Sequence, residues 1–261
     1  MQKIDEQSAE TATPSLARRW WNSRGGYRLL REAALMYGLF AVYKLVRAMV
    51  RDHQDTALDH ARDVMHVERM FGIFNEETLQ DLVINQRQIV TFLNAYYLIA
   101  HFLVTTVVFA VLYLTRPEGY ARARRILFAM TGIALVVHVL YPLAPPRMFP
   151  VIGFIDTGTL IGPGAYGNGH AYDGLANQFA AMPSMHFGWS VLIAWAVVRY
   201  FRSPKRWIVV VHPFLTLAAI VLTANHYWMD AVIAMIIFGG VFLLDRALFG
   251  RRAESAQPAI A

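Results

Sequence analysis

Long apolar runs constrain this chain more than any other feature. Five of them, roughly 90–115, 124–143, 179–200, 207–224 and 227–249, reach the about 20 residues that a helix needs to cross a bilayer. A sixth, about 30–50, is interrupted by Lys44 and Arg47. Long basic side chains near a helix end keep their charge at the interface while the stem stays in apolar surroundings. The expected fold is therefore all-α: a polytopic membrane bundle of six transmembrane helices. Composition agrees, with 56% hydrophobic and 16% charged residues against the roughly 25% charge of soluble domains.

Between the first and second runs lies a charged segment. Leu58, Ala61, Val64 and Met65 recur there at helical spacing, and Asn75 is placed to cap EETLQDLVI. Two short helices are expected, lying along the membrane surface or resting as a hairpin on the bundle. The organisation read from the chain is a cytoplasmic tail over 1–29, a six-helix membrane domain over 30–250 and a second cytoplasmic tail over 251–261. The polar, arginine-rich start lacks the short apolar core of a cleaved signal peptide. With no cysteine, disulfides, thiol nucleophiles and thiolate metal sites are excluded.

The formal charge of +6 does not point to nucleic acid, because the basic residues stand beside apolar runs. Loops rich in Lys and Arg stay in the cytoplasm. Four such segments alternate correctly for six spans: the N-terminal tail, the 116–125 connection, the 199–206 connection and the C-terminal tail. The 144–178 loop holds a single basic residue, Arg147, and is expected outside. The excess of arginine over lysine hints at a bacterial source, and so at a bacterial plasma membrane.

That topology gathers polar residues at the outer ends of three runs. Arg147 follows the third run, Ser184 and His186 open the fourth, and HYWMD with His226 and Asp230 opens the last. His226 and Asp230 are four residues apart and share a helix face. A carboxylate there can hold one ring nitrogen and leave the other as nucleophile or base. His186 comes from another helix and can protonate a leaving alkoxide. Arg147 offers a fork of donors for phosphate oxygens, and Ser184 adds a hydroxyl at a helix start, where backbone N–H groups favour anions. Two histidines and an aspartate are also a zinc set, and a histidine–aspartate relay in a carrier is a further alternative. His101, His138 and His212 read as helix–helix contacts, with His212 before Pro213 marking a kink.

The stretches AAMPSMH and NHYWMD resemble the second and third signatures of the type 2 phosphatidic acid phosphatase (PAP2) superfamily. LYPLAPPRM and NQFAAMPSMHFGWS, with ERMFGIFNE upstream, resemble most its inositol phosphorylceramide synthase-like branch. The resemblance implies a six-helix fold and metal-independent phosphoryl transfer through a phosphohistidine, with no cofactor. Carried over, His226 is the nucleophile, Asp230 its orienting carboxylate and His186 the acid, while Arg147 and Ser184 bind phosphate. The chain departs from the first signature. Met148 follows Arg147, and Leu140 stands where a phosphate-binding lysine is usual. Lys44 or Arg47 are candidate substitutes, and Asn177, Gln178 and Tyr227 are candidate substrate contacts. Arg116-Pro117 falls on the cytoplasmic side and is not the missing pair.

The function expected is a membrane lipid phosphatase or phosphotransferase. Its substrate would be a phospholipid or polyprenyl phosphate, its acceptor water or a polyol such as inositol, and its site would lie on the outer face. A non-enzymatic lipid or ion carrier and a zinc-dependent membrane hydrolase are the alternatives.

Overall fold

The structure, a computed structural model, describes residues 53–160 and 179–254, with parts of 30–45. The chain forms two compact units, Met1–Leu45 and Val46–Ala261. The described residues of the first are helical; Lys44, Arg47 and most of the first apolar run lie outside the described residues.

In the second unit the described elements are helices. The longer ones are α1 (Gln54–Met70), α2 (Glu76–Ile84), α3 (Arg87–Thr115), α4 (Pro117–Leu140), α5 (Met185–Tyr200), α6 (Val211–Leu222) and α7 (Trp228–Glu254). α3 contains one π-turn, Tyr96–Ala100. A 3-10 stretch, Pro204–Val210, leads into α6. Among the described residues the only extended pairing is an isolated bridge, Leu143 with Ala180.

Four described helices are long and apolar enough to cross a membrane: Arg87–Thr115, Pro117–Leu140, Pro204–Leu222 and Trp228–Phe249. They correspond to four of the six expected runs. The run at 179–200 gives a shorter helix of 16 residues, about 24 Å at 1.5 Å per residue. The reason is local. Ser184 is extended (φ −71°, ψ 102°) and accepts from the Phe187 N–H, so the helix begins only at Met185. α5 packs on α3, α4, α6 and α7. Pro213 falls just after the change from the 3-10 stretch Pro204–Val210 to α6, where its missing N–H costs little.

α1 and α2 form as expected, but Asn75 does not cap α2 with its side chain. Its Oδ1 accepts from Trp228 Nε1 (2.8 Å) instead. α1 buries Ala57, Ala61, Val64 and Met65 against Leu143, Phe154, Met182, Ala224 and Tyr227. A second core of Leu112, Ile126, Met130, Leu192 and Ile193 joins α3, α4 and α5. Towards that second core, Asp245 of α7 takes both Arg122 (2.7 Å) and Arg125 (2.9 Å) of α4, and Arg122 also lies over Trp195 and Phe242. Gly119 lets α4 approach Tyr200, since a Cβ there would stand 2.8 Å from the tyrosine ring.

Asp245→Ala is expected to destabilise the protein by about 3 kcal/mol. That is the low end for breaking a buried ion pair, because both guanidiniums keep some exposure. Thermal unfolding in detergent measures it, and an unchanged midpoint would contradict the assignment.

Candidate active site

The region around His226 is built from four backbone crossings. The Leu143 N–H donates to Phe179 O (2.8 Å) and the Ala181 N–H to Leu143 O (3.2 Å), so LYPLAPPRM is stitched to the approach to α5. The Ala144 N–H donates to Ala57 O (3.1 Å) on α1. The Arg147 N–H donates to Ala224 O (2.9 Å) beyond α6, and the Ser184 N–H to Asp230 O (3.1 Å) on α7. Three segments far apart in the chain are thereby fixed at one end of the bundle.

The end of α6 explains how NHYWMD is presented. Ala224 N–H reaches Val221 O, and Asn225 N–H reaches Ile220 O, the paired bonds of a Schellman motif. The left-handed residue of that motif is usually glycine; here it is Ala224 (φ 53°), at about 1 kcal/mol of strain. α1 ends in the same motif, with Gly72 at φ 68°.

His226 is nearly fully buried. Its Nδ1 stands 2.8 Å from Ala181 O and 3.0 Å from Asp230 Oδ2. A carbonyl and a carboxylate only accept, so Nδ1 carries the hydrogen and Nε2 keeps its lone pair. Burial first, then the Arg147 charge, push the imidazole well below the usual histidine range, outweighing the bond to Ala181 O. The ring is neutral at neutral pH. Asp230 is fully buried; Oδ2 also accepts from the Tyr227 N–H (3.0 Å), while Oδ1 has no partner among the described residues.

The His186 ring lies 6.0 Å from that of His226, centroid to centroid. Ser184 Oγ is spent as an acceptor from Phe187 N–H (3.4 Å) and keeps its own hydrogen to donate. Arg147 Nη1 donates to Asn225 Oδ1 (2.7 Å), and Nε lies 3.9 Å from Asp156 Oδ2. Asn225 is held in turn, its Nδ2 donating to Thr223 Oγ1 (2.6 Å). Five sequence-expected residues thus occupy one neighbourhood: Arg147, Ser184, His186, His226 and Asp230. Asn177, Gln178, Lys44 and Arg47 lie outside the described residues. Tyr227 is fully buried in the core around Met65 and Phe154, so its ring offers no surface to a substrate. Leu140 is 75% exposed at the end of α4. Among the described residues, no three His, Asp or Glu side chains converge as a metal-binding group.

Sequence reasoning passed over two buried acids. Glu68 Oε1 accepts from the Met229 N–H (2.7 Å), and Glu76 Oε1 accepts from the Trp228 N–H (3.2 Å). Together with Asp230 they take three successive N–H groups at the start of α7, groups that no turn of the helix itself can satisfy. The signal was ERMFGIFNE, two acids beside bulky apolar residues. Gln80 does similar work, pairing both polar groups of Ile155 (2.9 Å each). His101, read as a helix contact, has its ring 4.4 Å from that of His186.

A family model described as the PAP2 superfamily matches residues 62–244. The chain belongs to the PAP2 superfamily, and its apolar helices are compatible with an integral membrane protein. Membership points to a phosphatase-type lipid phosphoesterase. No curated protein and no solved structure matches the chain.

Glu68 gives a pH signature. Burial first, then its hydrogen bond and repulsion with Glu76, raise its carboxyl from 4.5 to about 9, with a smaller push from Asp230. The folded protein therefore holds a proton that the unfolded chain releases above its own lower value. Stability from this group is complete below about 4.5 and declines as pH rises towards 9. Glu68→Gln keeps an acceptor for Met229 and cannot ionise, so its melting temperature should fall less than the wild type's across that window. Equal slopes for the two proteins would refute the assignment. Glu68→Ala leaves the Met229 N–H bare and should cost about 1–3 kcal/mol.

Proposed function

We propose that this chain is a membrane lipid phosphatase or phosphotransferase that works through a phosphohistidine, without a metal or other cofactor. The observation that carries the reading is the His226 ring, anchored at Nδ1 by two acceptors, with a neutral Nε2 and a second imidazole 6.0 Å away. In the first step the Nε2 lone pair attacks phosphorus and the bond to the leaving alcohol breaks. That oxygen takes a proton from His186, which enters the step as the imidazolium and leaves it neutral. In the second step His186 takes a proton from the acceptor, whose oxygen displaces Nε2 from phosphorus. Asp230 holds the positive ring that forms between the steps. Arg147, braced by Asn225, and the Ser184 hydroxyl bind the charge on the equatorial oxygens.

The substrate class is a phospholipid or polyprenyl phosphate. The acceptor is water or a polyol such as inositol, as the resemblance of LYPLAPPRM to the inositol phosphorylceramide synthase-like branch favours. Six spans with both termini in the cytoplasm would set the site at the outer leaflet of a bacterial plasma membrane; the four spanning helices and the basic connections support that arrangement. Asn225 takes over part of what a first-signature lysine would do, by fixing the guanidinium rather than adding charge.

Purified protein in detergent should release phosphate from a labelled lipid phosphate, or pass it to inositol. His226→Ala should lower turnover by about a thousandfold or more, and His186→Ala by about 10²–10⁴. Acid-labile, base-stable label on wild-type protein, absent from His226→Ala, identifies the intermediate. Turnover undiminished in His226→Ala, or lost on chelation and restored by zinc, would overturn the reading.

A further inference from the structure

The two histidines are held by different means. His226 is fixed by hydrogen bonds at Nδ1. No hydrogen bond among the described residues holds the His186 ring. Its neighbours are rings instead, and they come from α3, which contributes nothing to the motifs read from the sequence. Tyr97 stacks on His186 at 4.2 Å with 28° between planes. His101 lies 4.4 Å from it at 45°. Tyr97 also meets His226 edge-on at 6.4 Å. His101 in turn stacks on Trp189 at 4.9 Å, whose Nε1 donates to Thr131 Oγ1 (3.2 Å), so this wall is tied to α4.

The backbone under these rings is irregular where they meet the site. Tyr97 lies within the π-turn Tyr96–Ala100, and His101 is the first residue after it. A π-turn widens the helix and changes the direction in which the following residues point; such turns persist mostly at functional sites. In the same turn, the Tyr96 hydroxyl is hydrogen-bonded to His212 Nδ1 of α6. The wide turn is thus anchored to α6 by one tyrosine and presents the next to His186.

We infer that Tyr97, with His101 behind it, is the positioning residue that sets the plane of the His186 imidazole for proton delivery. The inference rests on the reading of His186 as the acid. Proton transfer demands aligned donor and acceptor atoms, and an imidazole without a hydrogen-bonded anchor can rotate about its side-chain bonds. Contact with two rings restricts that rotation and leaves both ring nitrogens without a hydrogen-bond partner among the described residues.

The test separates proton delivery from general integrity. First-turnover bursts are measured with an alkyl lipid phosphate, whose alkoxide needs the proton, and with p-nitrophenyl phosphate, whose phenolate leaves without it. Burst rates exclude the second step. Tyr97→Ala should slow the alkyl burst about 10–100-fold, within the span of acid catalysis, with KM nearly unchanged and the aryl burst within about threefold of wild type. Tyr97→Phe keeps the stacking face and should restore the alkyl burst. Tyr97→Leu keeps apolar volume without a ring; it should show the same selective loss of the alkyl burst, and it carries the test if the alanine variant does not fold. Equal losses on both substrates, an unaffected alkyl burst, or failure of phenylalanine to rescue would each overturn the assignment. A surviving burst in His226→Ala would instead overturn the phosphohistidine reading, whatever Tyr97 does.

Discussion

Three backbone N–H groups at the start of α7 are each taken by a buried carboxylate. Tyr227 gives to Asp230, Trp228 to Glu76 and Met229 to Glu68. A helix start buried among apolar groups has no water to satisfy these donors, and each left bare costs about 1–3 kcal/mol. The same carboxylate of Asp230 that closes the turn also holds His226. Helix initiation and histidine orientation are therefore one interaction. The acids that complete the cap come from α1 and α2, so the charged segment before the spans is part of the site's foundation.

The residues of the candidate site were legible because each stands at an apolar run's edge, where polar atoms are costly and therefore informative. Arg147, His186, His226 and Asp230 could be read that way, and the helical spacing of His226 and Asp230 predicted their contact. The partners of that set were not legible. Glu68 and Glu76 meet α7 across 161 and 152 residues, and nothing in local sequence reports such pairing. The spanning helices at 87–115, 117–140, 204–222 and 228–249 followed from hydropathy. The late start of α5 did not, because hydropathy counts Phe179–Met182 as apolar although Ser184 begins the helix after them. The π-turn in α3 has no compositional mark either: YYLIA reads as ordinary helix.

Arg147 and His226 share a mechanical origin in the strained end of α6. Ala224 adopts a left-handed conformation (φ 53°), and its carbonyl receives the Arg147 N–H. Its neighbour Asn225 receives the guanidinium. A glycine at this position would hold the same turn with less strain but would widen what the turn can become. Alanine, fully buried against α1 and Leu143, narrows it. The Arg147 backbone and the segment that carries His226 are then fixed to one another at a single turn.

The ion pairs at Asp245 and the site at His226 belong to separate cores. Asp245 binds α4 to α7 through Arg122 and Arg125 beside the core of Ile126, Met130 and Leu192, whereas His226 borders the core of Met65, Leu143 and Tyr227. α7 is thus clasped by carboxylate chemistry of opposite design at its start and at Asp245, well before its end at Glu254. At Asp245 an acid on α7 reaches cations on its neighbour; at the start acids on its neighbours reach the N–H dipoles of α7. The acids at the start serve as hydrogen-bond acceptors, Glu68 with its proton retained, whereas at Asp245 the two guanidiniums compensate the charge. A rod fixed in this way resists sliding and rotation along its length. The orientation of the His226 ring is then tied to the start of α7 through Asp230 rather than left to a free loop.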